Sequence, residues 1–537
     1  MSSAIVNIVR LSRAGLVLAL HGVRFVPKGI TPPLAVRLAI LLTAPLRLVM
    51  LPFQRRRPRE TRVASALTKL GPSYIKLGQF LATRGDLIGP DLARDLAHLQ
   101  DKLPPFPEME ARRAVEEALG GKLEDHFASF GPAIAAASIA QVHKAVTIDK
   151  VTGARRDVAV KILRPQVERR FKADLDSYRF AAQLIERLHP PIRRLQPTAV
   201  VKNLAETTQL EMDLRLEAAA ISEMADNIRN DRTLPDGRFR VPEVDWRRTS
   251  RRVLTIEWID GIAIGDKARL RTAGHDLKAL GQTAMRSFLR HAMRDGFFHG
   301  DMHQGNLLVE PDGTIAAVDF GIMGRLGPTE RRFLAEILFG LITRDYRRAA
   351  QVHFDAGYVP PHHSVEVFAQ AMRAIGEPIH GRTADEISMA DLLAQLFAYT
   401  EVFDMQTRPE LILLQKSMVI VEGVARGLDP GLDIWTAAEP IARSWVEDNF
   451  GLSGRMREAG EGAEILGRVL ADVPRVLLQA EKAASSLAEM SRDGWRLDEV
   501  TVARLAAAQG RQRRGQTVAL WIAAIALAAV ALGLWLG

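Results

Sequence analysis

From Arg62 to Arg84, in RVASALTKLGPSYIKLGQFLATR, apolar residues recur every three or four positions, the period of a helix buried on one side. This pattern makes Thr61–Phe130 a helical block. LPPFP at Leu103–Pro107 punctuates it, because proline lacks the amide that a helix interior needs. The period then shortens to two. SIAQVHKAV and DVAVKILRP, either side of DKVTGARR, predict strands and a turn within Gly131–Pro165. Gln166–Asn230 returns to helical spacing, broken by HPPIRRLQP. Phe239–Ile264 holds two further strands, RFRVPEVDW and RRVLTIEWIDG, and Leu277–Asp295 is a helix. In FFHGDMHQGNLLVEPDGTIAAVDFG, Phe297–Gly321, short apolar runs flank an Asp-Gly turn, the signal of a hairpin. From Pro328 to about Gly510 the spacing is helical again, and Ala463–Trp495 reads as a long exposed amphipathic helix.

The two ends differ from this body. TVALWIAAIALAAVALGLWLG, Thr517–Gly537, has 21 residues and no charge. At ~1.5 Å per residue, a helix of that length spans a hydrocarbon core of about 30 Å. Trp521 and Trp535 sit near its ends, and Arg511, Arg513 and Arg514 precede it, which orients the body of the chain to the cytoplasm. At the other end, Arg10, Arg13, His21 and Arg24 fall on one arc of a helical wheel. Arg37 and Arg47 interrupt AVRLAILLTAPLRLVMLPF. These segments predict interfacial helices followed by the basic stop QRRRPRETR, and the internal arginines argue against a signal peptide.

Composition narrows the chemistry. The chain has 537 residues, more than one ordinary domain, and no cysteine, which excludes disulfides, iron–sulfur clusters and thiolate-bound zinc. Its net charge of +9 suits phosphate ligands or anionic lipid. No basic stripe interleaved with aromatics points to nucleic acid.

Strands bearing a lysine, then helices with acids, more strands, and an Asp…Asn…Asp loop resemble in their order a protein-kinase-like fold. Asp301 to Asn306 is a step of five, and Asn306 to Asp319 a step of thirteen spanned by the hairpin LLVEPDGTIAAV. The hairpin returns Asp319 to Asn306, giving two oxygen ligands for Mg²⁺, a hard cation. Asp301 would orient or deprotonate the attacking hydroxyl or water. Asp319-Phe320-Gly321 matches the kinase DFG. VAVK places Lys161 at a strand end, suited to the α/β-phosphates of ATP, with an acidic partner expected from QLEMDLRLEAAA. Glu217 is the choice, with Asp213 one turn away on the same face. Glu211 lies about 240° round the wheel from Glu217 and must address something else. Backbone groups around Glu257–Ile259, in LTIEWIDG, would bind adenine. Only about eight residues separate Gly321 from the next helix, leaving no room for an activation loop and peptide platform, and His299-Gly300-Asp301 lacks the arginine that would read a phosphorylated one.

Lys76-Leu77-Gly78-Gln79, Ala135-Ala136-Ala137-Ser138, Glu211-Met212-Asp213 and Asp319-Phe320-Gly321, in that order, resemble the hallmarks of the UbiB/ADCK family of atypical kinase-like proteins. The resemblance covers about residues 60–430. It implies a KxGQ segment folded over the active site with Lys76 near Glu211 and Asp213, and with Lys76 and Gln79 on one helix face. It also implies ATP binding, ATPase activity, membrane association and support of ubiquinone biosynthesis. The alanine loop replaces the glycine loop. Glycines let backbone amides wrap phosphates by accepting positive φ, and Ala135, Ala136 and Ala137 restrict this, with Ser138 available as a hydroxyl contact. The family's usual HADPHPGN loop reads HGDMHQGN here. Gly300, Met302 and Gln304 depart from it, while Asp301, His303 and Asn306 do not.

The expectation is therefore an α+β, protein-kinase-like bilobal fold with a helical KxGQ extension and one C-terminal transmembrane helix. Its parts are a membrane-surface segment (1–60), the extension (61–130), a sheet lobe with inserted helices (131–260), a helical lobe (261–430), further helices (431–515) and the span (517–537). The expected ligands are Mg²⁺ and ATP or ADP. The expected partners are membrane lipid or a prenylated quinone precursor, other ubiquinone-biosynthesis proteins and a second copy of the chain, at the bacterial inner membrane. Two rival readings are a small-molecule kinase of the aminoglycoside or choline kinase type and a nucleotide-gated lipid-binding scaffold.

Overall fold

The computed structural model describes residues 2–21, 59–82, 103–148, 153–188, 196–231, 238–377, 402–405 and 409–432, with isolated residues or runs of two or three elsewhere between 23 and 445. Met1–Val446 is one compact unit, and Glu447–Gly537 lies outside the described residues. The expected amphipathic helix Ala463–Trp495 and transmembrane helix Thr517–Gly537 fall there, and the apolar run 35–53 is likewise outside the described residues. Among the described residues, no helix is long and apolar enough to cross a membrane.

Helix α1 (Ser2–Leu20) packs with α2 (Arg59–Leu70) and α3 (Pro72–Ala82). Ala14 joins Leu67, Ile75, Tyr178 and Leu204 in one apolar cluster, and buried Asn7 accepts a 3.0 Å hydrogen bond from Ser177. One side of α1 is therefore part of the extension's core, while Val6, Ile8 and Val9 remain exposed. After α4 (Glu108–Leu119) and the single turn α5 (Leu123–His126) come β1 (Ser129–Ala136), β2 (Ala140–Ile148) and β3 (Arg155–Leu163). In β3, Val158, Val160 and Ile162 are buried with Ala111, Ala114 and Val115 of α4. A strand's period of two then turns Lys161 to the opposite face of the sheet.

Three helices follow β3: α6 (Val167–Leu188), α7 (Pro197–Glu211) and α8 (Leu214–Arg229). They precede β4 (Phe239–Arg240), β5 (Val253–Glu257) and β6 (Ile262–Ala263). The upper sheet has the antiparallel order β1-β2-β3-β5, with Lys161 opposite Val142 and Leu254. The two strands expected in Phe239–Ile264 part company. Strand β5 completes the upper sheet, whereas β4 pairs in parallel with a strand of the lower lobe.

The lower lobe starts with α9 (Lys267–Thr272) and α10 (Leu277–Arg290), which is capped by Asp276 and runs into a wide π-turn at His291–Asp295. The short strands β7 (Phe297–His299), β8 (Leu307–Val309), β9 (Ile315–Ala317) and β10 (Met323–Arg325) follow. Asp312-Gly313 turns the β8–β9 hairpin, with Gly313 at φ +88° where a side chain would be strained. The lobe closes with α11 (Pro328–Ile342), α12 (Tyr346–Asp355), α13 (Val365–Gly376) and α14 (Pro409–Leu428). Its core unites α10, the hairpin and α14 with the inner face of α8. Mixed helix and sheet in two lobes is the expected kinase-like architecture.

Candidate active site

Lys161 is the centre of the cleft. Its Nζ lies 2.8 and 3.0 Å from the two carboxylate oxygens of Glu217 and 2.8 Å from Oδ1 of Asp319. Glu217 stands in the first turn of α8, where a carboxylate also suits the helix's positive end, and its side chain is only 8% exposed. Asp319 is half open to solvent, at 53%. Burial works against the Lys161 charge, but the carboxylates of Asp319 and Glu217 outweigh it and hold the ammonium well above its usual range. The Lys161 ammonium holds Asp319 well below the carboxylate range. Glu217 is shifted up by burial, against the pull of Lys161. One cation is thus held from a buried side by Glu217 and from a more open side by Asp319. Asp319 adopts φ +63°, a left-handed geometry uncommon for aspartate, and Phe320 beside it is buried.

The hairpin register joins the rest. Leu307 faces Ala317, and Val318 N–H donates to the Asn306 carbonyl at 2.8 Å, so Asn306 sits across from the residue before Asp319. The Asn306 amide Nδ2 donates to the Asp301 carbonyl at 3.0 Å, which sets Oδ1 apart as the amide's acceptor. Asp301 is partly exposed, with His303 Nε2 4.0 Å from its carboxylate. His299 is a contributor that the motif reading assigned no role. It is buried, burial lowers its pKa, and it donates from Nε2 to the Val318 carbonyl at 3.3 Å. Its Nδ1 accepts the Asp301 N–H at 3.1 Å, which fixes the neutral tautomer and stitches both ends of the loop together.

The three departures in this loop each have a local cause. A Cβ on Gly300 would come within 2.7 Å of Ile322 Cγ2 and 3.0 Å of its carbonyl. Met302 is buried in the core, and Gln304 covers Gly265. From α14, fully buried Ser417 reaches the Gly300 carbonyl at 2.9 Å, a support with no local sequence signal.

The alanine segment ends β1, a strand that the periodicity did not announce, and leads into β2, with Ala137 N–H donating to the Ala140 carbonyl at 2.8 Å. None of Ala135, Ala136, Ala137 or Ser138 adopts positive φ. Ala135 is exposed, whereas Ser138 is fully buried, so its hydroxyl is withdrawn from the open face. Arg164 grips the Ala137 carbonyl through Nε and Nη2 at 3.1 and 2.9 Å and the Pro104 carbonyl at 2.9 Å. Buried Gln141 accepts the Phe106 N–H at 2.8 Å. The LPPFP segment is thereby tied to the loop.

Lys76 forms a 2.7 Å ion pair with Glu211, and its charge also helps to hold Asp319 low. The extension's lysine therefore reaches the cleft, with Gln79 one turn further along α3 and partly buried. One premise needs correction. Glu211 and Glu217 do not share a helix, because the chain breaks at Met212–Asp213: Glu211 ends α7 and Asp213 caps α8. The break, not a helical wheel, separates their tasks. Asp213 accepts two bonds from the Arg215 guanidinium, at 2.9 and 2.7 Å, and this lowers its pKa.

At the hinge, the Glu257 carboxylate is held by Arg240 at 2.8 and 2.9 Å, and the same guanidinium binds Glu310 at 2.6 Å. This bridge pins the upper sheet to the lower one. Burial raises the Glu257 pKa, but Arg240 wins and lowers it. The Glu257 N–H is taken by the Glu243 carbonyl at 2.8 Å, and Ile259 is buried.

Residues 98–353 match the ABC1 atypical kinase-like domain, and residues 372–433 match the UbiB helical domain. Similar proteins include the "Probable protein kinase UbiB" of Xanthomonas euvesicatoria pv. vesicatoria, 39% identical over 78% of this chain and 76% of that one. The protein of the same name from Actinobacillus pleuropneumoniae is 37% identical over 85% of this chain and 82% of its own. A solved structure, the Rv3197–erythromycin complex from Mycobacterium tuberculosis, has 26% identity and a TM-score of 0.48 over 63% of this chain and 83% of that one. Where the cleft's geometry pointed to a kinase-like protein, sequence identity of this extent makes the assignment specific: the chain belongs to the UbiB family of atypical kinase-like proteins.

Proposed function

We propose that the cleft binds Mg·ATP and that the protein is an ATP-dependent, phosphotransferase-like ATPase supporting ubiquinone biosynthesis. The observation that carries this reading is Lys161 held between Glu217 and Asp319 at 2.8 Å. The donor set fits the ion: Asn306 Oδ1 and the Asp319 carboxylate are hard oxygens on adjoining strand ends. Bound Mg·ATP would supply the phosphoanhydride bond that is broken. Lys161 would orient phosphate oxygens, with Glu217 retaining it, while Asn306 and Asp319 would hold the metal. Asp301 positions the attacking hydroxyl or water.

The segment after Gly321 supports a small acceptor or water over a peptide. Only Ile322–Gly327 separates it from α11, and half of it is β10, paired with β7. The alanine loop's lack of positive φ restricts amide wrapping of the phosphates. A prenylated quinone precursor or lipid at the bacterial inner membrane, with the terminal span Thr517–Gly537 as anchor, completes the proposal. Lys161→Ala and Asp319→Asn are expected to abolish Mg·ATP binding or turnover, and unchanged phosphate release would overturn the site. A host lacking the gene should regain ubiquinone with the wild-type chain but not with Asp319→Asn; equal rescue would favour a nucleotide-independent scaffold.

A further inference from the structure

Away from the cleft, the loop between α12 and α13 carries two adjacent histidines, His362 and His363, and the turn before α14 carries Asp404. One ligand atom from each of the three lies within 4.8 Å of the others. His362 Nε2 and His363 Nε2 are 3.6 and 3.4 Å from Asp404 Oδ2. In a tetrahedral site with bonds of ~2.0–2.1 Å, ligand atoms stand roughly 3.3–3.5 Å apart, so the carboxylate is already near ligand spacing from both rings. His363 Nε2 is out of solvent and has no hydrogen-bond partner, despite its closeness to the carboxylate. A buried ring nitrogen in that state calls for a partner.

The cluster is held by its surroundings. Phe403 is buried among α12 and α13, edge-on to Phe368 at 4.8 Å and to His363 at 5.4 Å, which fixes the position of the next residue. Asp404 itself has φ +48°, a left-handed conformation that costs energy for a residue other than glycine. The two imidazoles lie 4.1 Å apart and tilted, which keeps both rings beside the carboxylate. His362 and Asp404 are exposed, which leaves a path for an ion and room for a water ligand.

We propose that His362, His363 and Asp404 form a binding site for a divalent transition metal of the Zn²⁺ or Co²⁺ class, with water completing the coordination. Two imidazoles and one carboxylate select borderline ions over Mg²⁺ and Ca²⁺, which prefer all-oxygen shells. The bound ion would tie the α12–α13 loop to the chain entering α14, closing a long loop and stabilising this part of the helical lobe. Helix α14 carries Ser417, which supports the loop of Asp301.

The test uses the full-length chain without an affinity tag, stripped of metal and titrated with Co²⁺ in excess Mg²⁺ so that the oxygen site of the cleft is occupied. Expected are visible d–d bands that Zn²⁺ bleaches, a rise of several degrees in melting temperature with Zn²⁺, and at least tenfold weaker Co²⁺ binding in His363→Gln and Asp404→Asn. Asparagine tolerates the left-handed backbone, so Asp404→Asn removes the anionic ligand while sparing the fold; circular dichroism checks both variants. Absence of Co²⁺ binding, or bands and affinity that neither variant alters, would overturn the site.

Discussion

Two lysines reach the same cleft and are held differently. Lys161 sits on a sheet, is shared by two carboxylates, and has one of them buried beneath it. Lys76 comes from the helical extension and meets Glu211 at the very end of α7. The first pair is rooted in the upper sheet and the core. The second depends on the docking of α3. The contrast teaches that one cation of the cleft can be built into a fold, while a neighbouring cation of equal charge is brought to it by an added layer that can be loosened separately.

The largest effect is expected on breaking the first. Glu217→Ala leaves the ammonium with the exposed carboxylate alone and should cost roughly 3 kcal/mol, within the range for a broken buried pair. Mg·ATP affinity should fall at least tenfold with it, read by urea unfolding and nucleotide titration. If both stay at wild-type values, the rooted lysine is not rooted by Glu217. Lys76→Ala should cost less, about 2 kcal/mol, because it removes a single charge-assisted contact, to Glu211. Its mark is local: amide exchange should quicken in α3 but not in β3, and equal change in both would erase the distinction between the layers.

A third pair extends the comparison to pH. Glu422 in α14 is buried with Arg426 at 3.3 Å, and burial lifts its pKa to about 7 against that arginine. Its folded value exceeds the unfolded one of 4.5, so the protonated form stabilises the fold at low pH. That stability is lost as pH rises through about 7. Glu422→Gln should therefore raise stability at pH 8 by on the order of 1–2 kcal/mol and flatten the fall between pH 5 and 8, seen in melting temperatures across pH. An unaltered profile would place the titration elsewhere. The smallest effect belongs to Asp213→Ala, which removes the α8 cap and should cost about 1 kcal/mol. Lys161 chemistry should change only through a looser α8, so a loss of turnover as large as that of Glu217→Ala would give Asp213 a direct part in the cleft.

Much of this site could be read from spacing. The interval from Asn306 to Asp319 admits one hairpin, whose Asp-Gly turn and period-two runs name its register. Alternation in VAVK turns Lys161 away from the valines that pack on α4. The VAVK and KxGQ motifs located the two cations. What spacing missed came from distant segments. The break at Met212 is invisible in an uninterrupted helical pattern, because Leu214 must donate to Arg251 beyond the next turn of chain. The Arg240–Glu257–Glu310 bridge joins three strands whose charges look like solvated ones in isolation. His299 and Ser417 act through hydrogen bonds to backbone that no local pattern announces.

The sequence by itself determined the local conformations and the identity of the cleft's charged groups, since periodicity, turn chemistry and residue type act over a few residues. Only the tertiary structure decided which acid meets which lysine, which strand joins which sheet, and which hydroxyl is buried. Those choices depend on packing between segments tens to hundreds of positions apart. There the burial of a carboxylate or the closeness of a carbonyl is set by neighbours that the local chain does not encode.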